Sequence, residues 1–322
     1  MEKKIILAIL SGIILLLVLG AYSYSSYTTQ TSNYSQGPPI NSSDRVLVIA
    51  PHPDDEAIAT AGVIRYCVEN NIPVEVVVMT NGDDYKGLSI KRHDESVAAM
   101  ETLGLSPEHV LFLGYPDGSL NNLLNQNWDY DKPYNWGGSI SNANYPFAYE
   151  KNATYSGANL EKNLEEITAN FKPTKIFYPN PEDEQIDHWT TYAFIEYTTT
   201  RMNYTGQKYT YLIHDPPNWP SPRFYVPGDY LIPPNELSNL GYNWLMFPLN
   251  SYQERLKEAA MNNYTSQINS DSYLQSFVKK NELFSTISDK TIKISNETMD
   301  FFSGTNFPET VLKEPGKNDK GK

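Results

Sequence analysis

Short apolar runs rich in β-branched residues alternate along the chain with stretches whose apolar positions recur every three or four residues. "RVLVIA" (45–50) precedes Ala57, Ala61, Ile64 and Val68, and "VEVVVMT" (74–80) precedes Val97, Met100 and Leu103, closed by Gly104. "VLFLG" (110–114) precedes a polar insert and then Leu160, Leu164, Ile167 and Phe171. "KIFYP" (175–179) and "YTYLI" (209–213) bracket a further helical stretch that begins near His188. Runs that are apolar throughout are strands covered on both faces, and such strands separated by helices form a parallel sheet. The pattern predicts an α/β fold: a Rossmann-like, mostly parallel sheet with helices on both faces and long aromatic, Asn-rich loops at the strand carboxyl ends. Functional groups of such sheets collect just beyond those ends.

The polar residues follow that rule. His52, Asp54, Asp55 and Glu56 come after the first run, Asn81 to Asp84 after the second and Asp117 after the third. Asp187 and His188 follow the fourth, and His214 with Asp215 the fifth. Groups distant in sequence would thus meet on one rim, as a catalytic centre requires. In "PHPDDE" (51–56) an imidazole and a carboxylate three positions apart, at a strand-to-helix turn, can face one point. That pair suits Zn²⁺, which in catalytic sites takes three protein ligands and keeps a position for water. His188, in "NPEDEQIDHW", is the candidate third ligand, and Asp187 is placed to orient a neighbouring imidazole. Asp54 is then free to take a proton from the activated water. A competing reading has Asp54 and Asp55 merely capping a helix N-terminus, where acids are favoured. Capping leaves His52, the flanking prolines and His188 unexplained.

With these residues in view, "VLVIAPHPDDEAIATAGVI" resembles the first motif of the PIG-L/LmbE-like family of zinc-dependent de-N-acetylases, which act on N-acetylglucosamine-type sugars. Further pieces follow in the family's order: "RHDES" (92–96), "LGYPDG" (113–118), "DEQIDH" (183–188) and "YTSQINSDSYLQSFVKKNELF" (264–284), the last resembling a C-terminal helical region. The resemblance runs from about 45 to 285. It implies His52, Asp55 and His188 as Zn²⁺ ligands, Asp54 as general base, and Arg92 and Asp117 as holders of sugar hydroxyls. Read without the family, Arg92 is a solvated or ion-paired arginine. One position departs from the pattern: relatives often read H-x-D-H, and this chain has Gln185 in "QIDH". An amide can donate a hydrogen bond to an oxyanion but cannot act as an acid, and losing an oxyanion donor can cost about 2.7–4 kcal/mol. His214, in "YLIHDPP", is a candidate for the missing imidazole; the alternative is a structural histidine bonded to Asp215.

The insert 119–156 and the stretch 214–234 are crowded with aromatic, Asn and Pro residues. Aromatic faces beside amides suit stacking on sugar rings, although long surface loops packed by their own aromatics have the same composition. At the N-terminus, "IILAILSGIILLLVLGAY" (5–22) carries no charge and is preceded by Lys3 and Lys4. It reads as a transmembrane anchor or a signal segment (1–22) that leaves the remainder extracytoplasmic. A flexible tether follows (23–43), then the deacetylase domain (44–302) and a disordered basic tail (303–322). Sequons at Asn33, Asn41, Asn152, Asn203, Asn263 and Asn296 suit an exported protein. The net charge of −13 excludes nucleic acid as a partner, and the single cysteine, Cys67, excludes an internal disulfide or a thiolate cluster. The expectation is a membrane-tethered zinc amidohydrolase acting on an N-acetylated sugar or glycan. Its alternatives are a glycan-binding relative without turnover and a C–N hydrolase acting on a different acyl group.

Overall fold

The computed structural model describes residues 12–18, 35–83, 87–214, 219–226, 228–237, 240–268 and 273–287. In chain order the elements are β1 (Ser35–Gln36), β2 (Val46–Ala50), α1 (Asp55–Glu69), β3 (Val74–Thr80), α2 (Ser89–Thr102) and β4 (Val110–Tyr115). Then come α3 (Leu120–Asn125), the antiparallel pair β5 (Asn142–Ala143) and β6 (Ala153–Thr154), α4 (Gly157–Phe171), β7 (Lys175–Pro179), α5 (Ile186–Arg201) and β8 (Gln207–Tyr211). The C-terminal part adds β9 (Tyr242–Pro248), α6 (Ser251–Met261), α7 (Thr265–Ile268) and β10 (Asn281–Ile287).

The main sheet has eight strands in the order β1-β9-β10-β8-β7-β2-β3-β4. β2, β3, β4, β7 and β8 pair in parallel, as the unbroken apolar runs require. Alternation along β2 divides the core into two layers. Val46, Val48 and Ala50 pack with Ala57, Ala61 and Ile64 of α1 on one face, while Leu47 and Ile49 pack with Leu160 of α4 and Phe194 of α5 on the other. Each fully buried aliphatic side chain contributes about 1.5–3 kcal/mol. From β2 the chain steps outward to β3 and β4 on one side, and from β7 to β8 on the other. The crevice beyond the carboxyl ends of β2 and β7 is therefore the topological switch point, the place where such sheets bind ligands.

Three expectations change. First, the transmembrane helix is corrected: among the described residues no helix is long and apolar enough to cross a membrane. The membrane partner inferred from it falls with it. Apart from 12–18, the residues of 1–22, residues 23–34 and the tail 303–322 lie outside the described residues. Second, the segment taken as a tether enters the fold at β1, which pairs in parallel with β9. Third, 264–284 is not one helical region: α7 and a 3₁₀ turn at Leu274–Phe277 lead into β10, which runs antiparallel between β8 and β9.

β10 also explains a glycine and an ion pair. Gly62 brings α1 so close to the C-terminal part that a Cβ there would lie 2.1 Å from Leu249 Cδ2. Through that gap Glu282 of β10 accepts the backbone N–H groups of Gly62 (2.7 Å) and Val63 (3.0 Å), and its carboxylate meets Lys257 Nζ of α6 at 3.0 Å. Both charges are buried. Removing one partner of a buried pair strands the other, so Lys257→Met should lower stability by about 3–5 kcal/mol. Lys257→Met combined with Glu282→Gln, which discharges the survivor, should recover most of that loss. Urea denaturation midpoints of the two variants check both expectations.

Candidate active site

The hexapeptide forms the turn from β2 into α1. Asp54, at the helix N-cap position, has φ 140 and ψ −31, a conformation in which a Cβ is strained, and its side chain makes no capping hydrogen bond. The capping reading of Asp54 therefore fails, and something must hold the turn. Glu56 does so from below: Oε2 accepts the Asp54 N–H at 3.0 Å, while Oε1 accepts Tyr264 Oη at 2.6 Å and the Ser96 hydroxyl. From the side, Arg92 donates to the carbonyls of Pro53 (2.8 Å) and Gly82 (2.9 Å) and to Asp54 Oδ2 (3.2 Å). Burial pushes the Asp54 carboxyl up to about 7, against the pull of Arg92. A carboxyl balanced near neutrality suits a proton acceptor.

His52, Asp55 and His188 come together as the sequence suggests. Asp55 Oδ2 lies 3.2 Å from His52 Nδ1 and 3.0 Å from His188 Nε2, and all three residues are buried. The His188 contact is not a hydrogen bond: neither ring nitrogen of His188 has a partner in hydrogen-bond geometry. An imidazole lone pair and a carboxylate oxygen that face a common point rather than each other fit a shared cation, and two imidazoles with one carboxylate form a donor set of the zinc type. Burial lowers the His52 and His188 imidazoles, but the surrounding acids outweigh it. Asp117, Asp187 and Asp55 hold His52 well above its usual value, and Asp183 with Asp55 holds His188 at about 9. A field that retains those protons would also favour a divalent cation, which binds such groups by displacing them.

Two other acid–imidazole groupings share this space: Asp183 with His188 and His214, and His52 with Asp117 and Asp187. Backbone donors argue against both. Asp187 accepts the N–H groups of Gly118 (2.7 Å) and Leu120 (3.0 Å) while facing His52 Nε2 at 3.3 Å. Asp183 accepts those of Gln185 (3.1 Å), Ile213 (2.9 Å) and His214 (3.0 Å). Lone pairs spent on amides are not free for a cation. Asp187 instead orients His52, as a carboxylate behind a metal-binding imidazole commonly does.

A cavity of about 390 Å³ opens over this cluster, lined by His52, Asp54, Arg92, Asp117, Gln185 and His214 among others. Gln185 caps α5: its Oε1 accepts the N–H groups of Asp187 and His188, which turns its NH₂ toward His52 Nε2, 3.3 Å away. His214 sets Nδ1 3.1 Å from Asp183 Oδ1, and its ring meets that of His188 edge-on at 4.5 Å. Asp215, considered as its partner from sequence, lies outside the described residues. Asp117 reaches His52 Nε2 at 3.4 Å and Arg92 at 3.7 Å. No described residue of the insert 119–156 lines the cavity. Several of its aromatics pack inward, Trp136 and Tyr155 being buried and Trp128 stacked on Phe194 of α5, while Tyr130 and Tyr149 are exposed. Sequence reading passed over Asp183, Ser96 and Tyr264 and gave Glu56 no task. Glu56 carried a signal, as a third acid in a hexapeptide that needs two.

Known proteins resemble this chain in sequence and in fold. Residues 47–198 match the model of the family described as PIG-L, GlcNAc-PI de-N-acetylase. A diacetylchitobiose deacetylase of Thermococcus kodakarensis is 33% identical over 84 residues, covering 24% of this chain and 32% of that relative, so the match spans about a third of its length. Among solved structures, the zinc-inhibited form of teicoplanin deacetylase Orf2 superimposes with a TM-score of 0.50 at 15% identity, covering 76% of this chain and 99% of that one. A deacetylase complex from the teicoplanin biosynthesis pathway gives 0.50 at 14% identity with the same coverage. At such identities these structures show the shared fold.

The three groupings make different demands on metal binding. Equilibrium dialysis against Zn²⁺ should give one ion per wild-type chain and less than about a tenth of that for His52→Ala, Asp55→Ala and His188→Ala, each of which removes a ligand. Asp117→Asn should keep the ion, and its loss there would favour the His52–Asp117–Asp187 grouping.

Proposed function

We propose, from the PIG-L domain carried by residues 47–198, that the protein is a metal-dependent hydrolase that removes the N-acetyl group from an N-acetylglucosamine-type sugar. One observation carries the reading: a buried carboxylate outside the ligand set, Asp54, stands in a strained turn beside two imidazoles and a carboxylate whose ligand atoms lie within 4.8 Å of one another. Zn²⁺ held by His52, Asp55 and His188 would supply Lewis acidity, polarising the acetamide carbonyl and acidifying water. Asp54, balanced at about 7, takes the proton of the attacking water. The tetrahedral oxygen then faces two donors of the chain, the Gln185 NH₂ fixed by its cap and the His214 ring beside it. Passing the proton from Asp54 or His214 to the departing nitrogen breaks the C–N bond and yields acetate and a free amine. Asp117 meets the sugar hydroxyls. Arg92 is committed to Pro53, Gly82 and Asp54 and acts on the sugar through Asp117.

The names of the family and of the curated relative support this substrate class. Incubation with N-acetylglucosamine and N,N′-diacetylchitobiose should release acetate, and Asp54→Asn should slow release by about 10²–10⁴-fold, the usual contribution of a positioned base, with Zn²⁺ retained. Equal release by wild type and Asp54→Asn would overturn the catalytic reading in favour of a binding relative. His214→Ala should lower turnover by about 10²-fold if its ring serves the oxyanion or the leaving nitrogen. Unchanged turnover would assign that service to Gln185.

A further inference from the structure

We infer that Asn81 is a positioning residue through which the insert 119–156 acts on sugar binding: Tyr145 of the insert holds the Asn81 amide, and that amide holds the backbone of Asp117. The inference rests on the function proposed above, in which Asp117 meets the sugar hydroxyls. It gives a task to an insert with no described residue on the cavity wall. Asn81 follows β3 and is only 1% exposed, so it cannot touch a substrate itself. Its N–H donates to the Tyr115 carbonyl at 2.7 Å, where the ladder between β3 and β4 ends. Beyond that point the side chain takes over from the ladder. Its Oδ1 accepts the N–H of Asp83 at 3.0 Å, closing an Asx turn, and the N–H of Asp117 at 3.3 Å, 36 residues further on. Its Nδ2 donates to Tyr145 Oη at 2.7 Å.

Backbone N–H groups only donate, so the two of them fix which way the Asn81 amide points: its oxygen faces them, and its NH₂ is left for the tyrosine oxygen. Asp83 and Asp117 both line the cavity. One buried amide therefore sets the separation of the two loops that carry these acids. Between Asn81 and Asp83, Gly82 is pressed against the hexapeptide, where a Cβ would lie 2.7 Å from Pro53 Cδ, so the loop has little room to shift and re-form its bonds elsewhere. Tyr145 is fixed in turn. Its ring stacks on Phe147 at 5.1 Å, and Phe147 stacks on His93 of α2 at 4.4 Å. The ring also lies over Gly114 of β4, where a Cβ would come within 3.3 Å of Tyr145 Cδ2. The insert is seated on the outermost strand of the sheet, its Tyr149 N–H donating to the Phe112 carbonyl of β4 at 2.7 Å. Covering that edge anchors the insert, and the Tyr145 hydroxyl carries the anchorage inward to the site.

The test uses the full chain. Asn81→Leu keeps the size of the side chain and removes its acceptor and donor, while Tyr145→Phe removes one hydroxyl and keeps the stacked ring. For acetate release from N,N′-diacetylchitobiose, KM should rise about 10-fold in Asn81→Leu and about 3-fold in Tyr145→Phe. In both, kcat should stay within about 3-fold of wild type, the signature of lost binding rather than lost chemistry. In the double variant Tyr145→Phe should add less than about 1.5-fold, because its path runs through the amide already removed. Tyr145→Phe decides the matter if Asn81→Leu fails to fold. A Tyr145→Phe KM within about 1.5-fold of wild type, a folded Asn81→Leu within about twofold, or the same rise from Tyr145→Phe in both backgrounds overturns the inference and leaves acetate release, and so the proposed function, standing. If wild type releases no acetate, the proposed function falls, and the dissociation constant of the disaccharide, measured by titration calorimetry, replaces KM. A Tyr145→Phe that binds about 3-fold more weakly then upholds the inference, equal affinity overturns it, and no binding to wild type removes both.

Discussion

Burying several carboxylates beside one another is the constraint from which the site follows. Asp54, Asp55, Asp117, Asp183 and Asp187 all lie inside the protein around two imidazoles. Poorly solvated like charges repel unless each finds a donor or a cation. The chain answers differently for each acid, and the differences assign the tasks. Asp183 and Asp187 are saturated by backbone amides and imidazoles, and so become fixed points. Asp55 has two imidazoles and no such amide cage beyond the N–H of His52, and its carboxyl stays well below the usual range. Asp54 has the Arg92 guanidinium and is the acid left near neutrality. A row of three acids in one hexapeptide thus separates into three environments, with Asp55 between two imidazoles, Asp54 against Arg92 and Glu56 bracing the turn.

The fold explains why these groups meet where they do. β2 and β7 are neighbours whose chain paths diverge, so the turn after each opens into one crevice. The first turn carries His52, Asp54 and Asp55, and the second carries Asp183, Gln185 and His188. Loops from β3, β4 and β8 complete the rim with Gly82, Asp117 and His214.

Much of this was legible in the sequence because buried parallel strands write mainly apolar runs, as β2, β3, β4 and β7 do, while β8 reads QKYTY and is apolar only toward its end. That His52, Asp55 and His188 would lie together was legible because His52 and Asp55 stand in one turn and His188 opens the helix that follows a predictable strand. What was missed has physical reasons. β10 reads "NELFSTI", and its buried Glu282 breaks the apolar pattern because its charge is cancelled by Lys257, a pairing no local window reveals. Asp183 acts through side chain to backbone bonds, which leave no periodicity. Gln185 read as a lost histidine, and its capping of α5 became visible only once the helix start was located. The apolar segment at the N-terminus satisfied a composition rule for a membrane span, yet among the described residues no helix is long and apolar enough to cross a membrane.

The bond from Glu282 to Gly62 and Val63 joins positions 220 residues apart. A ribosome adding about 5–20 residues per second needs roughly ten to forty seconds to travel that distance. Throughout that interval the first motif has emerged while the strand that braces its helix is unmade, and His188 is translated well before it. The last strand to be made is therefore the one that braces the helix behind the first motif.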